Sequence, residues 1–182
     1  MHLDADTRAA LAAASATLGT QAAGLPVAWV APENFHITLK FFGGVDEARL
    51  PALIDALRAT AVDRGPFDLE ITGLGAFPSV SRPRVLWAGA EEGAAALGAL
   101  ALAVDDAVAP LGFPREERPF TAHVTLARVR EPRRAPGLAE ALGAAAPRRF
   151  GRVRIEQLAL MRSDLSPRGA RYTGLSAVPL GH

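Results

Sequence analysis

The chain has 182 residues, of which 49% are hydrophobic and 21% charged, a composition typical of one globular domain with a substantial core. It contains no cysteine, which excludes disulfides, thiolate nucleophiles and cysteine-ligated zinc. The formal net charge is only +1, so any binding of anions must be local. The N-terminus lacks the pattern of a signal peptide, and no apolar run is long enough to cross a bilayer. We therefore predict a cytoplasmic protein with no membrane contact.

The first half of the chain is predicted to contain helices and strands in alternation. Helix-forming residues, β-branched and aromatic runs, and Pro or Gly punctuation mark the boundaries. The predicted elements are a helix over 7–19, a Pro-rich extended segment, a strand over 36–43, a helix over 46–63, a strand over 67–77, a turn over 78–84 and a strand over 85–90.

The second half of the chain repeats this order. The predicted elements are a helix over 93–113, a Pro-rich loop over 114–120, a strand over 123–129, a helix over 137–146, a strand over 149–163, a turn over 164–170 and a strand over 171–180. Alternating helices and strands indicate an α/β or α+β fold, and the tight turns favour antiparallel pairing. The repeated order predicts a duplicated architecture in two lobes.

One local pattern occurs at the corresponding place in each half. "HITL" begins at His36, and "HVTL" begins at His123. Residues two apart in a strand point to the same side, so each histidine shares a face with the threonine of its motif, Thr38 or Thr125. If the halves are related by a pseudo-twofold axis, both pairs face one cleft. Room for a phosphate then requires the ring nitrogens of the two histidines to lie roughly 5–8 Å apart.

Two imidazoles on opposite sides of a small substrate can perform acid–base catalysis. An ordinary histidine titrates near ~6.5, so near pH 7 one ring can accept a proton while the other donates one. Threonine hydroxyls are short donors suited to the non-bridging oxygens of a phosphate. The pattern predicts in-line displacement at phosphorus with no metal and no cofactor.

The sequence resembles the two-histidine phosphoesterases, and among them the bacterial and archaeal RNA 2′,3′-cyclic phosphodiesterases, also called 2′-5′ RNA ligases. The resemblance lies in "WVAPENFHITLKFFGGV", "GLGAFPSVSRPRVLWAG" and "PLGFPREERPFTAHVTLARVR" and extends over nearly the whole chain. It implies a single bilobal α+β domain, residues 1–182, in which two antiparallel sheets flank a central cleft with helices outside. It also implies hydrolysis of RNA 2′,3′-cyclic phosphate ends to 2′-phosphate ends, with His36 as proton donor and His123 as proton acceptor.

The same resemblance draws attention to a basic residue five positions after the second histidine, Arg128. We predict that it binds phosphate, although strict strand alternation places it opposite His123, so a bulge would be needed. Lys40 shares the strand parity of His36 and is a candidate substrate contact. Phe120 could stack a base, with core packing as the alternative. Arg130 adds a further positive charge near the second motif.

The beginning of the chain departs from the family pattern. Members usually open with an apolar strand before the first helix, whereas only "MHLDAD" precedes Thr7 here. We therefore expect the sheet of the first lobe to have a shortened strand or a bare edge. This should affect the stability and the cleft wall of that lobe more than the chemistry.

Other functions fit parts of the pattern. Within enzymes, the alternative is a phosphodiesterase or ligase of 2′-5′ linkages, or a phosphodiesterase of small cyclic nucleotides. A catalytically weak module that binds RNA ends would keep the fold, but both motifs retain His and Thr. A metal-binding role lacks a third ligand in either motif. The expected partners are RNA 3′ ends or small nucleotides carrying a 2′,3′-cyclic phosphate, bound by a monomer.

Overall fold

The computed structural model describes residues 3–131, 135–166 and 169–181, and it contains helices together with antiparallel strands. In chain order the elements are α1 (Ala5–Gln21), β1 (Val27–Trp29), α2 (Leu50–Ala61), β2 (Phe67–Phe77), β3 (Val85–Ala90), α3 (Ala94–Val108), β4 (His123–Val129), α4 (Pro136–Ala144), β5 (Arg149–Ile155), β6 (Gln157–Ser166) and β7 (Gly169–Pro179).

The strands form two antiparallel sheets of unequal size. The larger sheet has the order β1-β4-β3-β2-β5, and the smaller sheet is the hairpin β6-β7. Helices lie against both sheets: α1, α3 and α4 contact strands of the larger sheet, and α2 contacts β6 and β7. The predicted α+β class with two antiparallel sheets is confirmed.

The two faces of the larger sheet differ in burial. Leu69 and Ile71 of β2, Leu86 of β3 and Val124 of β4 are completely buried, and they form the core together with the helices. The residues between them in these strands project from the opposite face, because side chains alternate along a strand. We call this opposite side of β2, β3 and β4 the cleft face, and both the second motif and the residues paired with it lie there.

Spatial neighbours do not follow the two halves of the sequence. The strands β2 and β3 come from the first half, yet they form one sheet with β4 and β5 of the second half. The hairpin β6-β7, from the end of the chain, packs on α2 of the first half. Antiparallel pairing joins segments that are distant in sequence, so the repeated element order could not identify these partners.

Two predicted strands differ from the observed ones. The segment after His36 forms only isolated bridges at residues 36 and 37, and no strand covers 38–43. The run predicted as one strand over 149–163 is two strands, β5 and β6, separated at Glu156. The backbone C=O of Glu156 accepts a hydrogen bond from Leu180 N–H at 2.8 Å, at the point where the chain passes from the larger sheet to the smaller one.

The segment before the first helix contains no strand over residues 3–6, in agreement with the predicted shortening. Helix α1 begins at Ala5, and the Asp4 carboxylate accepts hydrogen bonds from the backbone N–H (2.9 Å) and hydroxyl (2.7 Å) of Thr7. An aspartate in this position satisfies N–H groups that have no partner within the helix. The smaller sheet has two strands in the described part of the chain.

The expectation that no apolar run is long enough to cross a bilayer is wrong by length and composition for one helical stretch among the described residues, Ala94–Leu111. In the structure its residues Leu97, Leu100 and Val104 are buried in the core. Its Asp105 is also buried, and it pairs with Lys40. The helix contacts both α2 and strand β2.

Candidate active site

The two histidine motifs are brought together by a single backbone bridge. Ile37 and Val124 are antiparallel bridge partners, and both side chains are buried in the core. Their sequence neighbours therefore project from the other face, with His36 opposite Thr125 and Thr38 opposite His123. The register places the two histidines diagonally across this pair, where backbone positions lie roughly 7–8 Å apart, and the predicted separation of their ring nitrogens stays a prediction.

The His36 ring is held by the segment that precedes it and by strand β7. Its Nδ1 lies 2.7 Å from the backbone carbonyl oxygen of Asn34, and a carbonyl can only accept, so Nδ1 carries the proton in this contact. The ring of Tyr172 lies edge-on to the imidazole, with the centroids 4.7 Å apart. The Asn34 side-chain amide also donates to the Ala170 carbonyl at 3.1 Å. The smaller sheet is thus joined directly to the first motif.

The His123 ring is held by equivalent contacts. Its Nδ1 lies 2.8 Å from the carbonyl oxygen of Thr121, again the residue two positions earlier. The ring of Phe77 lies at 89° to the imidazole, with the centroids 5.2 Å apart. In both motifs Nδ1 is used by a backbone carbonyl, so proton exchange with a substrate has to use Nε2.

Strand β4 contains the bulge that the predicted role of Arg128 requires. Its pairing with β3 shifts between Leu86↔Ala127 and Trp87↔Thr125, so Leu126 is an extra residue in the strand. Leu126 and Ala127 are both completely buried, although they are adjacent in sequence. After this interruption Arg128 is exposed and projects on the same side as His123 and Thr125.

Lys40 has another role in the structure than the predicted substrate contact. Its side chain is only 3% exposed, and its ammonium forms an ion pair with Asp105 of α3. The same ammonium donates to the Pro114 carbonyl at 2.7 Å and lies 3.7 Å from Glu116 Oε1. These contacts join the buried ammonium to helix α3 and to the loop that precedes the second motif, so Lys40 supports that loop.

The carboxylate of Asp105 is stabilised in its charged form by this arrangement. Burial alone would raise its pKa, but hydrogen bonds from Lys40 and from the Glu116 backbone N–H (3.0 Å), together with the charge of Lys40, hold the pKa below its ordinary value of 3.8.

Phe120 packs against the main hydrophobic core and is partly buried. One of its ring carbons lies 4.0 Å from where a side chain on Gly98 of α3 would begin. This packing agrees with the predicted alternative of a core position for Phe120, and it does not favour base stacking by this ring.

Several residues near the motifs were not identified from the sequence. Asn34 and Tyr172 contact His36, Phe77 contacts His123, and Trp87 contacts Phe77. Tyr172 is the only tyrosine in the chain, but its contact with His36 joins positions 136 residues apart and leaves no local pattern. For Trp87 the sequence does contain a local signal. Gly75 in "GLGAF" and Gly89 in "WAG" have no side chain and leave room on the sheet for its ring.

One cavity of about 280 Å³ lies between α1 and β1, with Trp29 and Phe35 among its lining residues, and it includes neither motif histidine. The side chains of His36, His123 and Thr125 are half-buried. Within residues 3–131, 135–166 and 169–181, no three His, Cys, Asp or Glu side chains converge as metal ligands would.

The opposed histidine–threonine pairs on an antiparallel α+β scaffold define the two-histidine class of phosphoesterases. A family model described as LigT like Phosphoesterase matches residues 2–87 and 89–172, and the chain belongs to this family.

Its relatives include an RNA 2′,3′-cyclic phosphodiesterase of Methanothermobacter thermautotrophicus, 36% identical over 88% of this chain and 86% of the relative. Another, from Aquifex aeolicus, bears the same name and is 38% identical over 84% of this chain and 81% of the relative. Among solved structures, the protein TT0787 of Thermus thermophilus superimposes with a TM-score of 0.78 at 33% identity, covering 98% of this chain and 93% of that one.

Proposed function

We propose that this protein is an enzyme that hydrolyses RNA 2′,3′-cyclic phosphate ends to 2′-phosphomonoester ends. The observation that carries the proposal is the bridge Ile37↔Val124, which sets two histidine–threonine pairs opposite one another on one exposed face. Membership of the LigT-like family and the names of the relatives support the same reaction.

The reaction needs two proton transfers at one phosphorus. Nε2 of His123 accepts a proton from water as the water oxygen attacks phosphorus. Nε2 of His36 donates a proton to the ribose O3′ as its bond to phosphorus breaks. The phosphorus gains one P–O bond and loses another, and O2′ keeps the phosphate. The carbonyl of Asn34 and that of Thr121 keep each Nδ1 protonated, so both rings present the nitrogen that the chemistry uses.

The threonines and the arginine stabilise the charge on the phosphate. The hydroxyls of Thr38 and Thr125 donate hydrogen bonds to non-bridging oxygens, where negative charge develops in the transition state. The Arg128 guanidinium donates two parallel hydrogen bonds to the same group, a geometry that suits phosphate. None of these steps requires a metal ion or an organic cofactor. The predicted monomeric state and cytoplasmic location are part of this proposal.

Product analysis tests the proposal directly. A purified sample is incubated with an RNA oligonucleotide that ends in a 2′,3′-cyclic phosphate, with and without EDTA, and the end group is identified by ³¹P NMR. We expect a 2′-phosphate and the same rate in both samples. The variants His36→Ala and His123→Ala should each lower the rate by roughly 10²–10⁴-fold. The matched control is His182→Ala, a histidine outside both motifs.

Other results would require a different function. A 3′-phosphate product would reverse the assignment of the leaving oxygen, and loss of the activity in EDTA would show that a metal is needed. Tight binding of the oligonucleotide with no turnover would instead support a module that binds RNA ends. Turnover of a 2′-5′ linkage or of a small cyclic nucleotide in preference to the oligonucleotide would support the alternative phosphodiesterases.

A further inference from the structure

The two motif histidines differ in how their backbone is held. His123 begins strand β4 and pairs with Gly89 of β3. His36 lies outside the named strands, because only isolated bridges occur at residues 36 and 37 and no strand follows over 38–43. The segment that carries the first histidine therefore lacks the continuous ladder that holds the second one. Its orientation has to be supported from outside the segment.

Asn34 provides such support through two of its groups. Its backbone carbonyl accepts the Nδ1–H of His36 at 2.7 Å, and its side-chain amide donates to the carbonyl of Ala170 on β7 at 3.1 Å. The backbone between these groups is itself held, since the Asn34 N–H donates to the Ala31 carbonyl at 2.8 Å. The carbonyl that orients the imidazole is thus attached to β7 by the side chain of the same residue.

The same stretch of β7 also contacts the imidazole directly. Tyr172 follows Ala170 by two residues, and its ring meets His36 with the centroids 4.7 Å apart and the planes at 62°. The hairpin β6-β7 in turn packs on α2. The His36 ring therefore contacts the Asn34 carbonyl and the Tyr172 ring, and the Asn34–Ala170 hydrogen bond joins these two supports to each other.

The second motif has no equivalent of this side-chain contact. Thr121 occupies the corresponding position, and its carbonyl accepts the Nδ1–H of His123 at 2.8 Å. Its side chain is exposed and makes no hydrogen bond within the part of the chain that the structure describes. Among the described residues, the attachment to another element through a side-chain amide is therefore specific to the histidine that lacks a strand.

We propose that the Asn34 side chain is a positioning device for the proton donor: it fixes the carbonyl that aims Nε2 of His36 at the leaving oxygen. This inference rests on the proposed function, in which His36 protonates O3′. Asn34 touches no substrate atom in it and acts only through His36. Because a misplacement of about 1 Å can cost roughly 10²-fold in rate, a loosened ring should lower kcat and leave KM nearly unchanged.

Two substrates that differ in one atom separate this role from general support of the fold. Adenosine 2′,3′-cyclic phosphate releases an alkoxide that needs a proton. Its analogue with sulfur in place of O3′ releases a thiolate, which needs none because a thiol has a pKa of about 8.5. In both reactions one P–O bond to water forms and the bond to the 3′ atom breaks. The His36→Ala variant calibrates the pair and should lose activity mainly on the oxygen compound, whereas His123→Ala should lose it on both.

The Asn34→Ala variant should follow the pattern of His36→Ala. We expect its kcat on the oxygen compound to fall by roughly 10- to 100-fold, and its kcat on the sulfur compound to fall by less than about 3-fold. Asn34→Gln keeps an amide donor and should recover part of the loss. Glu33→Ala, at the exposed neighbouring position, should behave as the wild type on both compounds.

Two outcomes of this comparison would overturn the inference. Equal losses on both compounds would show that Asn34 supports the fold or the cleft as a whole, because the ratio of the two rates does not depend on the fraction of folded protein. Unchanged rates on both compounds would show that the Asn34 amide does not position His36.

A measurement of the histidine tautomers keeps the inference independent of turnover. In ¹⁵N-labelled protein at about pH 9, where an ordinary imidazole is neutral, both motif histidines should carry the proton on Nδ1. In Asn34→Ala, His36 should become a mixture of tautomers and His123 should not change. This result without any turnover of cyclic phosphates would reject the proposed function and retain the positioning role. Turnover together with an unchanged His36 tautomer in Asn34→Ala would reject the positioning role alone.

Discussion

At the scale of single residues, the two histidines have the same backbone support. Each Nδ1–H donates to the carbonyl of the residue two positions earlier, Asn34 or Thr121, at 2.7 and 2.8 Å. The aromatic neighbours differ: His36 contacts Tyr172, and His123 contacts Phe77. The tautomer is therefore fixed in the same way on both sides, while the surroundings of the two rings are not equivalent.

The threonine hydroxyls are expected to contribute less than the histidines. Thr38→Ala and Thr125→Ala should each lower kcat/KM for a cyclic-phosphate substrate by roughly 10- to 100-fold, because each removes one neutral donor to developing charge. Thr20→Ala, at an exposed position in the last turn of α1, is the matched control. Steady-state kinetics check the prediction, and wild-type values in both motif variants would show that the hydroxyls do not touch the phosphate.

At the scale of secondary-structure elements, the bulge in β4 decides which residues can act together. The sequence predicted the strand over 123–129 and also that Arg128 would need a bulge to face His123. The shift in pairing at Leu126 provides it. Because one extra residue reverses the alternation, the same strand can bury Leu126 and Ala127 and still expose Arg128.

Arg128 is expected to matter for binding and for the transition state. Arg128→Ala should lower kcat/KM by roughly 10- to 100-fold, the value of a charge-assisted hydrogen bond. Arg128→Lys should recover only part of this, since a lysine keeps the charge but not the planar pair of donors. Arg152→Ala on β5, where the side chain pairs with Glu92, is the control. Full recovery by lysine would indicate a general electrostatic effect rather than a specific contact.

The Lys40–Asp105 pair connects three elements: the segment after the first motif, helix α3 and the loop before β4. Asp105→Asn leaves a buried ammonium without its main partner. The free energy of unfolding should fall by about 3–5 kcal/mol, towards the lower end because Glu116 remains close to Lys40. Denaturant titration at neutral pH measures this, and Asp55→Asn, at an exposed ion pair on α2, should change it far less.

The contribution of Asp105 to the free energy of unfolding should also depend on pH in a defined direction. Its pKa is lower in the folded chain than the ordinary 3.8, so the folded state favours the charged carboxylate. The stabilisation is complete above the unfolded pKa and is lost as the pH falls through the folded pKa. The difference in stability between wild type and Asp105→Asn should therefore be constant from about pH 5 to 7 and shrink below about pH 4. A constant difference down to about pH 2 would contradict this origin.

At the scale of the whole molecule, positive and negative charges nearly cancel. The net charge is +1, and several arginines of β5 are paired with acids: Arg149 with Glu70, Arg152 with Glu92, and Arg154 with Asp68. Arg128 remains exposed on the cleft face. RNA should therefore contact the protein through few phosphates.

The salt dependence of binding measures this directly. For one or two neutralised phosphates on a single strand, the slope of log K against log salt concentration should be about −0.7 to −1.4. Binding of a short RNA to the His36→Ala variant, which keeps the cationic residues, can be followed by anisotropy from low to moderate salt. Arg128→Ala in the same background should reduce the slope by about 0.7. A slope steeper than about −3 would reveal a larger basic surface than the cleft face offers.

Local signals in the sequence were sufficient to predict the chemistry and most of the elements. The bounds of β2, β3 and β4 agree with the predicted strands, because β-branched and apolar runs are local signals closed by Gly and Pro. The paired His-x-Thr motifs identified the reactive side chains, since residues two apart in a strand share a face wherever the strand lies.

Which segments meet became known only from the folded chain. Three features join positions that are far apart in sequence. They are the sheet that combines strands of both halves, the Ile37↔Val124 bridge and the contact of Tyr172 with His36. Lys40 shows the same limit within one segment: strand parity placed it beside His36, but a buried carboxylate on α3 engages its ammonium. Local sequence patterns indicate the type of secondary structure and the face on which a side chain lies. The contacts of that side chain depend on core packing and on the pairing of buried charges, which arise only when distant segments of the chain come together.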